Sequence, residues 1–316
     1  MINSIQFQKG LSLADFMARY GTEAQCEAAL IKARWPDGFV CPRCGHRRGY
    51  AFRHGKNAVW QCSACPHQTS LRSGTQMEHS LLSLRTWMLA IYLITQSKTN
   101  IAALALRRQL GISWKAAWLL KHKIMEAMRQ REAQRPLSAE VRVDHGWLGG
   151  ERPAGQRGRG AKSKVAFVAA VELREGRPLR VRFDPVEDFS PAALAQWAAR
   201  ALTGPCLVSM DAFIRSGLLA LAPQGVGQMG LLSQDETGVE SFRWLNILIG
   251  NLKTALSGTH HAFKFAKYAN RYLAEVQYRF NRRASLPALV PGLAFAVMHT
   301  HPMTRRVITS VPEGGT

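Results

Sequence analysis

A chain of 316 residues, 47% of them hydrophobic, has length for about two domains and apolar content for a sizeable core, which excludes a disordered basic tail. Lys and Arg number 42 against 21 Asp and Glu, a formal net charge of +21 at pH 7. Because the basic residues recur from Arg43 to Arg306, the chain is expected to carry a long positive surface that suits a polyanion and binds it with salt-sensitive affinity.

Met1 to Arg19 mixes polar and short apolar stretches and does not read as a secretory signal. Residues from about Leu13 to Ala33 read as helical, and Pro36 and Gly38 break that helix. Two CxxC pairs come next, Cys41 with Cys44 and Cys62 with Cys65, with 17 residues between them. Tyr50–Phe52 and Val59–Gln61 read as short strands in that interval, so residues 36–72 are expected to form a zinc ribbon whose four thiolates hold a structural Zn²⁺. Cys26 and Cys206 stand alone and read as buried small hydrophobes. His46, His54 and His67 are expected at the surface or facing DNA, since four cysteines complete the shell. Cysteine used this way fits a reducing compartment, and a cytoplasmic, nucleoid-associated protein is expected.

The apolar run Trp87–Thr95 is shorter than the roughly 20 residues a bilayer span needs. Ser97-Lys98-Thr99 is placed to cap the next helix, and Ile101–Leu110, Gly111-Ile112-Ser113 and Trp114–Met128 read as helix, tight turn, helix. Within residues 80–135 this gives a helix-turn-helix with Lys115, Lys121, His122 and Lys123 as its positive, DNA-binding face. Trp114, Trp118, Leu119 and Ile124 are assigned to its core. Arg129–Ala139, with Pro136, reads as a linker.

The apolar period then turns strand-like. Val141–Asp144, Lys164–Glu172 and Leu179–Phe183 read as three strands, and Ser190-Pro191 opens a helix through Leu202 that Gly204-Pro205 ends. Leu207–Asp211 reads as a fourth strand, and Val239–Ser257 as a later helix after a polar turn. Between the first two strands, Glu151–Lys164 is basic and glycine-rich and reads as a phosphate-gripping loop through Arg157, Arg159, Lys162 and Lys164. This order of elements is that of an α/β, ribonuclease-H-like core, assigned to residues 139–285. Residues 1–35 read as an N-terminal helical segment and residues 286–316 as a C-terminal tail.

Asp144 and Asp211 each close a strand-like run, and two strand-end carboxylates can share divalent cations for phosphoryl transfer. Asn246 follows Asp211 after 34 residues, and Lys253 lies two helical turns further on the same helix face. Glu240 and Asn251 are rivals for the third position, with Glu240 the stronger.

These residues resemble those of the zinc-ribbon bacterial insertion-sequence transposases, the ISXO-like family designated fifteen-ninety-five. Val143-Asp144-His145-Gly146-Trp147-Leu148-Gly149-Gly150 is similar to its hallmark VDETYVGG, and Trp244–Lys253 to its third-residue helix. Gly258-Thr259-His260-His261 resembles its GTYH element, and Arg271–Glu275 with Tyr278–Arg283 its C-terminal helix. His145 departs from the usual Glu and His260 from the usual Tyr. The resemblance implies that Asp144 and Asp211 are metal-binding acids, that Asn246 replaces the usual glutamate, and that Lys253 is its helix partner. It also implies Mg²⁺ or Mn²⁺ as catalytic cofactor, strand cleavage and strand transfer at terminal inverted repeats, and a homodimer or higher assembly on double-stranded DNA. A second reading keeps the ribbon, the helix-turn-helix and the charge but leaves the core idle, as in a DNA-binding regulator. A third is a nuclease of the same fold that hydrolyses without joining.

Overall fold

The computed structural model describes residues 5, 7–149, 164–210, 230–233, 242–260 and 265–310. They fall into two compact units, one of residues 1–128 with 282–308, the other of residues 129–281 with 309–316. Among the described residues, no helix is long and apolar enough to cross a membrane.

The first unit opens with two helices where the sequence reads as one segment: α1 (Leu13–Tyr20) and α2 (Glu23–Arg34). The break comes at Gly21-Thr22, where the Thr22 side chain accepts from the Gln25 N–H and Gln25 reaches back to the Thr22 N–H. That capping box starts a new helix instead of continuing the old one. Strands β1 (Gly49–His54), β2 (Asn57–Cys62) and β3 (Gln68–Ser70) form an antiparallel sheet in that order. The inner face of that sheet carries Trp60, whose ring lies 4.6 Å from that of Trp35, itself stacked edge-on to Phe39. Gly49 is needed there, because a Cβ would meet the Phe39 ring at 2.8 Å and the Gln61 carbonyl at 2.7 Å.

Helices α3 (Leu84–Gln96), α4 (Ala103–Leu110) and α5 (Trp114–Ala133) come next. The Ser97–Thr99 cap is not used, since Ala102 occupies the N-cap of α4 and makes no side-chain cap bond. Gly111 ends α4 in the left-handed region at φ 64°, and the Ser113 hydroxyl accepts the Ala116 N–H to begin α5. Where a linker was expected, α5 runs on to Ala133.

In the second unit, β4 (Leu137–Leu148), β5 (Val165–Arg174), β6 (Arg177–Pro185), β7 (Leu202–Met210) and β8 (Gly230–Ser233) form one mixed sheet. Its order is β6-β5-β4-β7-β8, with β5 antiparallel to both neighbours, β7 parallel to β4 and β8 parallel to β7. Helix α6 (Pro191–Ala201) connects β6 to β7, starting at a Ser190 N-cap with Pro191 in its first turn. Three antiparallel strands, a helix and two parallel strands in this order are the ribonuclease-H-like arrangement. One sheet face is closed by α6, through Val141, Val143, Val168, Val208 and Met210 against Leu194, Trp197 and Ala198. Helices α7 (Arg243–Thr259) and α8 (Phe265–Phe280) pack on β4, β5 and β6.

The edge strand β6 is closed by side chains. The Asn281 amide accepts the Val181 N–H at 2.7 Å and donates to the Val181 carbonyl at 3.0 Å, as a neighbouring strand would, and also donates to Glu132 at 2.6 Å. Gln277 accepts the Phe183 N–H in the same way. Capping an edge like this removes a template for unwanted strand pairing. Asn281→Ala is expected to lower unfolding stability by about 1–3 kcal/mol, since it removes the partner of the buried Val181 N–H and carbonyl; denaturant melts should show it, and an unchanged midpoint would refute this role.

The stretch read as a C-terminal tail contains α9 (Leu289–Met298), which packs on α2 and α3 in the first unit, and the short α10 (Arg305–Thr309). Leu289, Val290, Leu293, Ala294, Ala296, Val297 and Met298 are all buried, so α9 is core.

Candidate active site and metal centre

The four cysteines of the two CxxC pairs converge. Two knuckles of the same design present them: the Cys41 N–H donates to the His46 carbonyl at 2.9 Å, and the Cys62 N–H to the His67 carbonyl at 3.0 Å. Their sulfurs all lie within 4.8 Å of one another, with Cys41–Cys65 and Cys44–Cys62 both at 3.6 Å. A tetrahedral zinc with bonds of about 2.3 Å places its sulfurs about 3.8 Å apart, so the donor set fits this metal in type and spacing. Desolvation opposes ionisation of Cys41, but the N–H groups of Cys44 and Arg43 and the thiols of Cys65 and Cys44 outweigh it and bring the group down to about 7. Cys44 moves the other way, to about 12: the His46 N–H lowers it, while the neighbouring thiols and desolvation prevail. Zinc binding takes all four sulfurs as thiolates and so displaces whatever protons they hold.

Asp144 lies within β4 rather than at its end, opposite Ala169 of β5. Among the described residues, pairing with β7 runs up to Val143, the register partner of Met210, and Asp211 is the next residue in sequence. Asp211 itself lies outside the described residues, as do Glu240, Arg157, Arg159 and Lys162. Asp144 is partly buried and its Oδ1 accepts the His145 N–H at 2.6 Å, with His145 Nδ1 at 3.3 Å. His145 in turn sits edge-on to Phe189 at 5.0 Å, and Trp147 meets the same ring at 5.3 Å. Gly146 is required by close approach, because a Cβ there would fall 2.4 Å from the Phe167 ring.

Sequence reasoning missed the support two residues below. Arg142 and Ser209 are register partners, both buried, and the Arg142 guanidinium donates to the Ser209 hydroxyl at 2.8 Å and to Glu140 at 2.6 Å. The signal was available: Arg142 precedes Asp144, and Ser209 precedes Asp211, by one strand period, so each polar residue shares a strand face with its aspartate if the strand continues. The bond ties β4 to β7 two residues before Asp144.

Asn246 and Lys253 are both exposed on α7, whose Leu245, Leu248, Leu252 and Leu256 form the buried stripe. Asn251 is exposed too. Thr259 and His260 close the helix: the Thr259 hydroxyl donates to the Ala255 carbonyl, and the His260 ring stacks obliquely on Tyr272 at 4.3 Å. Lys164 lies immediately before β5 and is partly exposed.

The positive face expected of the helical hairpin is corrected. Lys121 is 1% exposed and Lys123 6%, and His122 is buried between them. The Lys121 ammonium donates to the Ile101 carbonyl at 2.6 Å, and that of Lys123 to the Gln76 carbonyl at 2.8 Å. Burial pulls the Lys123 pKa down against the pull of Glu78. Consecutive helix residues are about 100° apart, so three in a row cannot share one face; here the whole run Leu120–Met128 is buried. Trp114, assigned to the core, is 50% exposed instead, whereas Ile124 is fully buried. Exposed cations of the hairpin are Arg107, Arg108 and Lys115. The first two sit in the last turn of α4, opposite Leu106, and apolar spacing alone would have found them.

A family model described as the ISXO2-like transposase domain matches residues 136–281, and one described as the transposase zinc-ribbon domain matches residues 21–68. The chain is similar to a Halobacterium salinarum protein described as an uncharacterized protein in transposable element ISH50, with 30% identity over 152 residues, 45% of this chain and 49% of that protein. It therefore spans about half the length of this relative. A crystal structure of a pre-cleavage Mos1 transpososome aligns over 68% of this chain and 78% of that one, at 11% identity and a TM-score of 0.21, too low to bear on the fold.

Proposed function

We propose that this chain, which belongs to the family of ISXO2-like transposases with a zinc ribbon, is the transposase of an insertion sequence, cutting DNA at the element's terminal inverted repeats and joining the ends to target DNA. The observation that carries the reading is the parallel register of β4 and β7, in which Val143 faces Met210 and each is followed by an aspartate. Asp144 and Asp211 would then stand side by side at one edge of the ladder, with Arg142 and Ser209 bracing their strands.

Two carboxylates and the amide oxygen of Asn246 are hard oxygen donors, a set suited to Mg²⁺ or Mn²⁺. When bound, that cation supplies Lewis-acid activation of water and charge stabilisation at the scissile phosphodiester. Asp144 is aimed by the His145 N–H on one carboxylate oxygen. Lys253, with Arg157, Arg159, Lys162 and Lys164 of the basic loop, would hold flanking phosphates in line. Cleavage leaves a 3′-hydroxyl on the element's end; that oxygen attacks a target phosphodiester and expels a new 3′-hydroxyl. No side chain acts as nucleophile, and positioning carries the rest.

We assign residues 36–72 as the ribbon, 80–135 as the helix-turn-helix and 139–285 as the catalytic domain. Arg107, Arg108 and Lys115 replace Lys121 and Lys123 as the hairpin's DNA contacts. A dimer or larger assembly on double-stranded DNA, in a nucleoid-associated cytoplasmic setting, completes the reading. The third position is tested by cleavage of inverted-repeat DNA with Asn246→Ala and Glu240→Gln. Loss of roughly a hundredfold or more in the first, with the second near wild type, is expected for a lost cation ligand; the reverse pattern would move the role to Glu240.

A further inference from the structure

The ribbon has two unlike faces. Ala51, Trp60 and Thr69 are register partners on the inner one, where Trp60 meets Trp35 and Arg53 pairs with Glu27 of α2. On the outer face β1 carries Tyr50, Phe52 and His54 at alternate positions, with Arg48 just ahead of them in the same alternation. Tyr50 is 71% exposed and Phe52 39%. Their cross-strand partners are Gln61 and the buried Val59, and Gln68 donates to Gln61 at 2.9 Å, so Tyr50 lies beside a pair of amides and Phe52 beside an apolar side chain. β1 is also an edge strand.

Charge decides what this face meets. Between Asp37 and Glu78 the chain holds Arg43, Arg47, Arg48, Arg53, Lys56 and Arg72 and not one acidic residue. Arg48, His54 and Lys56 are exposed beside the aromatic pair. Apolar rings bare to water, about 7 Å apart along a strand and ringed by cations, match a polyanion that also offers flat apolar surfaces. Paired bases hide those surfaces inside the duplex; unpaired ones present them.

We propose that the outer face of the ribbon binds an unpaired DNA strand, with bases stacked on Tyr50 and Phe52 and phosphates held by Arg48, His54 and Lys56. This rests on the DNA-binding part of the proposed function and is independent of catalysis. It gives the ribbon a role distinct from the hairpin: holding a frayed or cut end rather than reading a groove.

The test is fluorescence anisotropy of the full-length, zinc-loaded protein, without Mg²⁺ or Mn²⁺, on a labelled single strand of about 16 nucleotides and on the duplex of the same sequence. Tyr50→Ala/Phe52→Ala is expected to weaken single-strand binding roughly 10- to 100-fold and duplex binding no more than about twofold, and Tyr50→Phe to retain both. Zinc content of each variant guards against a misfolded ribbon. Tyr50→Ala alone, at a position open to solvent, provides a second variant, and bromodeoxyuridine photocrosslinking should map to Tyr50 or Phe52. Equal loss on both DNAs overturns the proposal in favour of duplex binding. No loss on either overturns it too, and leaves the open edge of β1 to a protein strand. A protein that fails to cleave but shows the single-strand defect leaves the inference standing; one that cleaves and shows no defect removes it.

Discussion

Cys44→Ser or Cys62→Ser should abolish zinc binding and unfold the ribbon, and prolonged chelation of the wild-type protein should do the same. The physical reason is scale. Residues 49–70 offer three short strands and one small aromatic cluster, in which Trp60 packs on Trp35 and Trp35 in turn on Phe39. Too little apolar area is buried there to offset the ordering of the chain, whereas a structural zinc contributes roughly 10–16 kcal/mol in small zinc modules. Metal analysis should find one zinc in the wild type and none in the variants, and amide exchange across β1–β3 should lose its protection. Since binding displaces protons shared among the four thiols, zinc affinity should also fall as pH falls through the region of Cys41, near 7. A ribbon that stays protected in chelator would mean that the aromatic cluster alone suffices.

The second large effect is expected at Asp144. Asp144→Asn keeps shape and volume but removes the charge that would hold a cation, and strand cleavage should fall by about a thousandfold or more. Folding should be little changed, because the carboxylate's partners are its own neighbour's N–H and ring. A melt that matches wild type beside lost cleavage would separate chemistry from stability. Cleavage within about tenfold of wild type would remove Asp144 from the catalytic set.

Much of this architecture was legible because the relevant signals are local. Two CxxC pairs can satisfy four sulfur valences in few ways, and the β-branched, apolar run in Val165–Arg174 and the alternation in its neighbours mark strands without tertiary information. What was hidden depended on neighbours distant in sequence. The four residues of β8 carry no period of their own and become a strand by lying beside β7. Gly204 and Pro205 read as the stop of a helix, yet the helix ends at Ala201 and they lie inside β7. They fit there because the β4 ladder shifts register between Leu137 and Ala139, so Thr203–Pro205 bulge out and the missing proline donor costs little. Lys121 and Lys123 look like surface cations in any window, and the carbonyls of residues 76, 78 and 101 that accept from their ammonium groups lie far off in sequence. At the candidate site, the exposed helix face through Asn246 and Lys253 follows from spacing, whereas Asp144, expected at a strand end, lies inside β4. For the Arg142–Ser209 brace the sequence offered only the one-period offset of each residue from its aspartate; that the two meet needed the register of strands 67 residues apart.

The most direct measurement is a joining assay: purified protein, DNA carrying the flanking inverted repeat, a target plasmid, and Mg²⁺ or Mn²⁺, with Asp211→Ala run in parallel. Covalently joined product that needs the metal and is absent in the variant is the predicted result. Tight, sequence-specific binding by the wild type with neither cleaved nor joined DNA, or joined product that survives Asp211→Ala, would contradict the assignment of these aspartates to strand transfer.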